Sequence, residues 1–323
     1  MNLIFRVFQI VSIIAITASL TFALSFQEIE KKAKNGDLAS QKELADIYYK
    51  DLPKNDEEAF KWYTAAGKQG DLQSFFMVGY MLFQGEGVIQ NYTKALDVFQ
   101  QLEKKNYSDA LTMMGFMYER GVGVAQNTSQ VVAYYTKGAK LNNLDSMRNL
   151  AVLYTKGELV EKNLPRAFLL HKKAADQGSP ASCASAARMY YFGEGVQKNV
   201  KQAAIYSIKG AEGGDPTAME WAGYFYYNGQ GVTQNLSEAL KWYQLAAENK
   251  SLNAQYITGT MYANGEGCEK SLYAADLWLA IASYCGHEDA SVLLEKVRAE
   301  ADKNGVMILR SAHPLKAHCA CCE

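Results

Sequence analysis

The sequence predicts an all-α protein, a right-handed α-solenoid superhelix of about seven helix-turn-helix repeats with half-repeat caps. Three observations predict it. A Gly or Ala recurs every 36 residues, at Gly79, Gly115, Ala151, Ala187, Gly223 and Gly259. A Gly-x-Gly-Val tail returns at the same interval, at Gly85/Gly87/Val88, Gly121/Gly123/Val124, Gly193/Gly195/Val196 and Gly229/Gly231/Val232. Apolar residues in each unit recur at intervals of three and four, the helical period. Stacked units of this kind form one quasi-one-dimensional body rather than the two domains that a length of 323 residues would otherwise suggest.

Residues 1–23 read as a signal peptide. Arg6 stands at the head of an apolar run from Val7 to Leu24, and Thr21-Phe22-Ala23 offers a small-residue cleavage site. The run approaches the roughly 18 residues of a membrane anchor, but Ser12, Thr17, Ser19 and Thr21 favour cleavage. The expectation is an exported protein (secreted, periplasmic or in the ER lumen) with no membrane span after cleavage. Residues 24–36 carry Phe26, Ile29 and Ala33 at helical spacing and form the N-terminal capping helix.

Residues 37–286 hold the seven repeats. The first matches the rest through Ala45–Tyr49 and Ala59–Tyr63, but Asp51-Leu52-Pro53 replaces its glycine loop, as befits a terminal repeat. In later units Asp71, Asn143, Ser179, Asp215 and Ser251 are placed to cap the first helix, and Pro180 and Pro216 fit its first turn. The mid-helix Gly/Ala column predicts close helix–helix approach, since glycine there otherwise costs about 1 kcal/mol. The loop glycines supply the left-handed conformations that end the first helix. Asn91, Asn127, Asn163, Asn199 and Asn235 then cap the second helix, whose bulky position is Trp62, Val98, Tyr134, Leu170, Tyr206, Trp242 and Trp278. The fourth unit has lost the second loop glycine (Gly157-Glu158-Leu159), and the seventh has Cys268 for Val and Ser271 for Asn. Residues 287–310 form a C-terminal capping helix, charged on its outer side, and residues 311–323 a Cys/His-containing tail.

Lys and Arg number 33 against 34 Asp and Glu, interspersed, so no basic face is available for nucleic acid. Cys183 falls in the column of Phe75, Leu111, Met147 and Met219 and reads as core. Cys285 lies at the far end of the next helix, roughly 20 Å from Cys268, a poor geometry for a disulfide, which leaves the tail cysteines as its alternative partners. Five Asn-x-Ser/Thr sequons occur, at Asn91, Asn106, Asn127, Asn235 and Asn249; three coincide with helix caps. No nucleophile accompanies His171 or His287, and Gly-x-Gly recurs too often to be one phosphate loop, so the chain reads as non-catalytic with no cofactor. His171, on a second helix, is expected at the surface. The tail residues His318, Cys319, Cys321 and Cys322 carry ligand chemistry but fit no finger spacing, and no metal site is predicted.

The pattern Ala-x-x-x-Leu-Gly-x-x-Tyr-x-x-Gly-x-Gly-Val, then Asn-x-x-x-Ala-x-x-Trp-Tyr-x-x-Ala-Ala, resembles the Sel-one-like repeat family, a relative of tetratricopeptide repeats. Ala218–Ala247 carries it most fully. The resemblance implies a scaffold or adaptor that holds a protein or peptide partner in a concave groove, as in ER-associated or bacterial host-contact adaptors. Two other readings go with it. One is a cell-wall or β-lactam-binding hydrolase-like protein, as in a cysteine-stapled branch whose regular cysteine spacing this sequence lacks; the other is a metal-handling protein acting through its tail. In the related tetratricopeptide geometry the first helix of each unit lines the groove. By register this places Phe76, Tyr80, Phe116, Arg120, Arg148, Arg188, Tyr191, Glu220, Tyr224, Tyr227 and Tyr256 there. Aromatic and Arg side chains suit binding hot spots, and Arg148 and Arg188 are expected to fork onto carboxylates of an acidic or C-terminal peptide.

Overall fold

A computed structural model describes residues 25–50 and 53–308. The signal-peptide segment, the Cys/His tail and the Asp51-Leu52 pair lie outside the described residues.

The described residues form sixteen helices and no strand. Helix α1 covers residues 25–34. Seven helix pairs follow: α2 (Leu38–Lys50) with α3 (Asp56–Lys68), α4 (Leu72–Gln84) with α5 (Tyr92–Glu103), α6 (Ser108–Arg120) with α7 (Thr128–Lys140), and α8 (Leu144–Lys156) with α9 (Leu164–Asp176). Then come α10 (Pro180–Phe192) with α11 (Val200–Glu212), α12 (Pro216–Asn228) with α13 (Leu236–Glu248), and α14 (Leu252–Asn264) with α15 (Leu272–Tyr284); α16 (Glu288–Lys303) closes the series. The chain divides into two compact units, Met1–Ser146 and Met147–Glu323, with the division inside α8. In the first unit each helix from α2 to α7 packs on its chain neighbours. In the second the same holds from α9 to α16, and the first helices α10 and α12 also touch directly. Sequential packing of helix pairs is the α-solenoid architecture.

Local chemistry sets the helix ends. Asp71, Ser179, Asp215 and Ser251 each accept a backbone N–H three residues on, and Asn143 does the same for Ser146. Second helices start alike, on Asn91, Asn127, Asn163, Asn199, Asn235 and Ser271. The first loop glycine ends the first helix in the left-handed region, for example Gly229 at φ 65°. The second has a further role. A Cβ on Gly195 would fall 2.3 Å from the Leu164 carbonyl, and on Gly267 2.2 Å from that of Leu236. Both partners are the first residue of the preceding repeat's second helix, so this glycine lets each loop seat on the unit before it.

The mid-helix glycines mark the closest approach inside each pair. A Cβ on Gly115 would stand 2.4 Å from the Tyr135 ring, on Gly79 2.7 Å from Phe99, and on Gly223 2.9 Å from Tyr243. The side chains that meet this column are therefore Tyr63, Phe99, Tyr135, His171, Ser207, Tyr243 and Leu279 in register, one residue beyond the bulky position read from sequence. All seven are buried. This corrects the expectation for His171: only 3% of its surface is exposed, because it occupies the inward-facing column of its helix. Cys183 is buried in a core with Ala186, Ala187 and Tyr206, and no disulfide joins Cys268 to Cys285.

Candidate functional site

The first helices of the second unit build a groove. On α12 the stripe Thr217, Glu220, Trp221, Tyr224 and Asn228 follows the i, i+3, i+4, i+7 period of one helix face. On α14 the matching stripe is Asn253, Tyr256, Ile257 and Thr260. Tyr191 and Phe192 from the end of α10 close one side, and Tyr243 from α13 lies beneath. Two adjoining hollows result, of about 520 Å³ and about 270 Å³, which share Tyr224, Tyr243 and Ile257.

Aromatic edges wall the larger hollow. Ring centroids of Tyr191 and Trp221 are 5.1 Å apart, and those of Trp221 and Tyr224 5.8 Å apart at 80°. Phe192 meets Trp221 at 6.0 Å and 81° while remaining 57% exposed. The hydroxyls of Tyr191 and Tyr224 share a hydrogen bond of 2.8 Å, which raises the Tyr224 phenol above its ordinary range, with burial adding to the effect. Burial chiefly, and then the nearby Glu220 carboxylate, raises that of Tyr243. The Tyr224 and Tyr243 phenols therefore stay neutral at physiological pH.

Two carboxylates line the groove. Glu220 accepts from Ser251 Oγ at 2.8 Å and from the amide of Asn253. Glu266, in the loop after α14, accepts from Tyr227 at 2.8 Å and from Asn264 Nδ2 at 3.0 Å. Its bond raises the Tyr227 phenol above the ordinary range. Tyr256, at the far end, stacks on His287 with centroids 4.3 Å apart.

Tyr191, Glu220, Tyr224, Tyr227 and Tyr256 are thus brought together, all of them positions taken from register. The remaining positions from that set stand elsewhere. In the first unit Phe76 packs among Tyr80, Phe99 and Tyr107. Gln84 Nε2 donates to the Tyr80 hydroxyl. Phe116 lies against Phe83, with the Arg120 guanidinium 5.8 Å over its ring. In the second unit Arg188 already holds a carboxylate, Glu194, at 2.6 Å, and Arg148 is half-buried on α8. Both arginines lie near enough to His171 to disfavour its protonation; together with burial, the larger cause, they push its pKa down to about 4. Its Nδ1 is buried without a hydrogen-bond partner.

Trp221, Thr217, Asn253 and Ile257 were not marked from sequence. The signal that finds them is the helical period: Trp221 is i+1 from Glu220 and i−3 from Tyr224, and Ile257 holds the same place on α14. Among the described residues no group of three or more His, Cys, Asp or Glu side chains is placed to hold a metal ion, and no helix is long and apolar enough to cross a membrane.

The fold and its repeat geometry define a tetratricopeptide-like helical repeat protein. Within that class the chain belongs to the Sel1 repeat family, whose model matches residues 38–71, 76–101, 108–143, 144–179, 180–215, 216–251 and 252–287. Such repeats usually mediate protein interaction and are generally non-catalytic. Among solved structures the chain is similar to a protective antigen of uropathogenic Escherichia coli strains displaying an SLR fold, at 28% identity and a TM-score of 0.67, over 91% of this chain and 62% of that one. The chain therefore spans less than two thirds of that protein's length. It is also similar to a Sel1 repeat protein from Oxalobacter formigenes, at 27% identity and a TM-score of 0.68, over 84% of this chain and 80% of that one. No curated protein matches it.

Proposed function

We propose that the chain is a non-catalytic scaffold that acts outside the cytosol and holds a protein or peptide partner in the groove of α10, α12 and α14. The observation that carries this reading is the groove itself. It joins two hollows along consecutive first helices and presents Trp and Tyr edges beside carboxylates held by neutral donors. Large aromatic area with directed polar groups at the centre of a concave face is what partner hot spots require. The exported location rests on the pattern of residues 1–23.

The test is a crosslinking pull-down from the exported fraction, comparing the wild type with Tyr224→Ala and Tyr227→Ala. Each variant is checked for unchanged helicity by circular dichroism. Loss of the captured partner is expected, and capture at the wild-type level by a folded Tyr224→Ala protein would overturn the reading. The N-terminal residue of the exported protein, read by mass spectrometry, is expected at about Leu24.

A further inference from the structure

The larger hollow of the groove has a chemistry of its own. Its walls are ring faces and edges set at steep angles, with Tyr191 and Tyr224 at 89° and Tyr191 and Phe192 at 87°. A cation within about 6 Å of such ring centroids is attracted by their quadrupoles. The structure already shows one: Nζ of Lys198, from the loop after α10, lies 5.3 Å over the Tyr191 ring. Lys198 is itself exposed, so it rests on the ring without being buried there.

Charge agrees with the rings. Glu220 lines the larger hollow and Glu266 the smaller. Ser251 and Asn253 donate to the first, Tyr227 and Asn264 to the second, and these groups are neutral. They orient the carboxylates without cancelling their charge. A partner group complementary to this surface is positive and flat enough to lie on rings.

We propose that the larger hollow takes an arginine side chain of a bound peptide, its guanidinium lying on the Trp221 and Tyr191 rings with its charge directed to Glu220. Arginine fits better than lysine because a planar, weakly hydrated guanidinium both stacks on aromatic faces and forks onto a carboxylate. This inference rests on the reading of the groove as a partner site. Lys198 then acts as an internal competitor for the Tyr191 ring, displaced when the peptide binds.

The experiment is selection of a random twelve-residue peptide library on the full chain, followed by affinity measurement of the selected peptides and their citrulline-for-arginine versions. Citrulline keeps the shape and loses the charge. Expected results are enrichment of arginine and at least a tenfold weakening on replacing that arginine by citrulline. In Glu220→Gln the gap between the arginine and citrulline peptides is expected to shrink to the few-fold that the rings alone supply, and in Lys198→Gln the arginine peptide is expected to bind a few-fold tighter. If selected peptides depend on Tyr224 but show no arginine preference, or if Glu220→Gln discriminates arginine from citrulline as the wild type does, the inference falls while the groove reading stands. If no selected peptide is lost on Tyr224→Ala, both fall.

Discussion

Replacing His171 by Leu should remove a specific acid sensitivity from the second unit. The imidazole is buried to 3% exposure with Nδ1 unpaired, and its pKa lies at about 4 against an ordinary 6.5. A folded-state pKa below the unfolded one means that the unfolded chain takes the proton first. The stability is therefore fully present above about pH 6.5 and is lost as pH falls toward about 4. At ~1.4 kcal/mol per pH unit the whole window is worth about 3 kcal/mol, and about 2 kcal/mol is gone by pH 5. Leucine suits the site because Leu279 holds the same column, fully buried, in the last repeat before the end cap. The assay is urea unfolding at pH 7.5 and pH 5.0, followed by tryptophan fluorescence in a Trp62→Phe background. The remaining Trp221, Trp242 and Trp278 then report on the second unit alone. With slopes of 1–3 kcal/mol/M the wild-type midpoint should fall by about 1 M more than that of His171→Leu. Equal pH dependence in the two proteins would refute the reasoning, since it would mean that His171 is solvated or finds a partner for its proton.

Two further perturbations address the scaffold. Gly231→Ala places a methyl at φ 76° and 2.6 Å from the Val200 carbonyl, whereas Gly214→Ala, at φ 91°, meets nothing within 4 Å; the first should lower stability by roughly 1–3 kcal/mol more than the second in urea titration. Arg298→Met strips the Nε–H donor held 2.6 Å from Asp276, whose side chain is only 6% exposed; an unpaired buried carboxylate costs about 3–5 kcal/mol, and hydrogen exchange should show α16 loosening from α15 before the rest of the unit.

The fold was legible because its rules are local. A polar cap accepts from an N–H three residues on, a loop glycine takes positive φ, and a mid-helix glycine meets a ring; each leaves a fixed residue type at a fixed place in the 36-residue register. Taking the bulky residue of each second helix as its inward face leaves His171 outside. The column one residue further in, with Tyr63, Phe99, Tyr135 and Tyr243, was equally visible in the register. The groove was only partly legible for a different reason. Register states which positions share a helix face but not whether a ring there is free or covered. Phe76 and Phe192 both carry exposed-looking aromatic chemistry in sequence, yet Phe76 packs among Tyr80, Phe99 and Tyr107 while Phe192 stands open at the hollow's edge. Likewise, nothing in the sequence shows that Arg188 is already paired, since its partner Glu194 belongs to the glycine loop whose role looked purely structural.

The internal repeats separate scaffold from function within a single chain. Columns that make the stack admit few residue types: Gly or Ala mid-helix, Gly in the loop, and Gly, Asn or Lys at 70, 106, 142, 178, 214, 250 and 286, where φ is positive in every case. The register column that contains Glu220 runs Phe76, Thr112, Arg148, Ala184, Glu220 and Tyr256, and the next one Met77, Met113, Asn149, Ser185, Trp221 and Ile257. Size, charge and polarity all change along these two columns while the first helices that carry them keep the same register and the same length. The repeat backbone therefore accommodates different side chains at these positions, buried at Ala184 and half-buried at Trp221. Their variation therefore makes the first helix of each repeat chemically distinct, and on α12 Glu220 and Trp221 bring aromatic area, negative charge and open volume together.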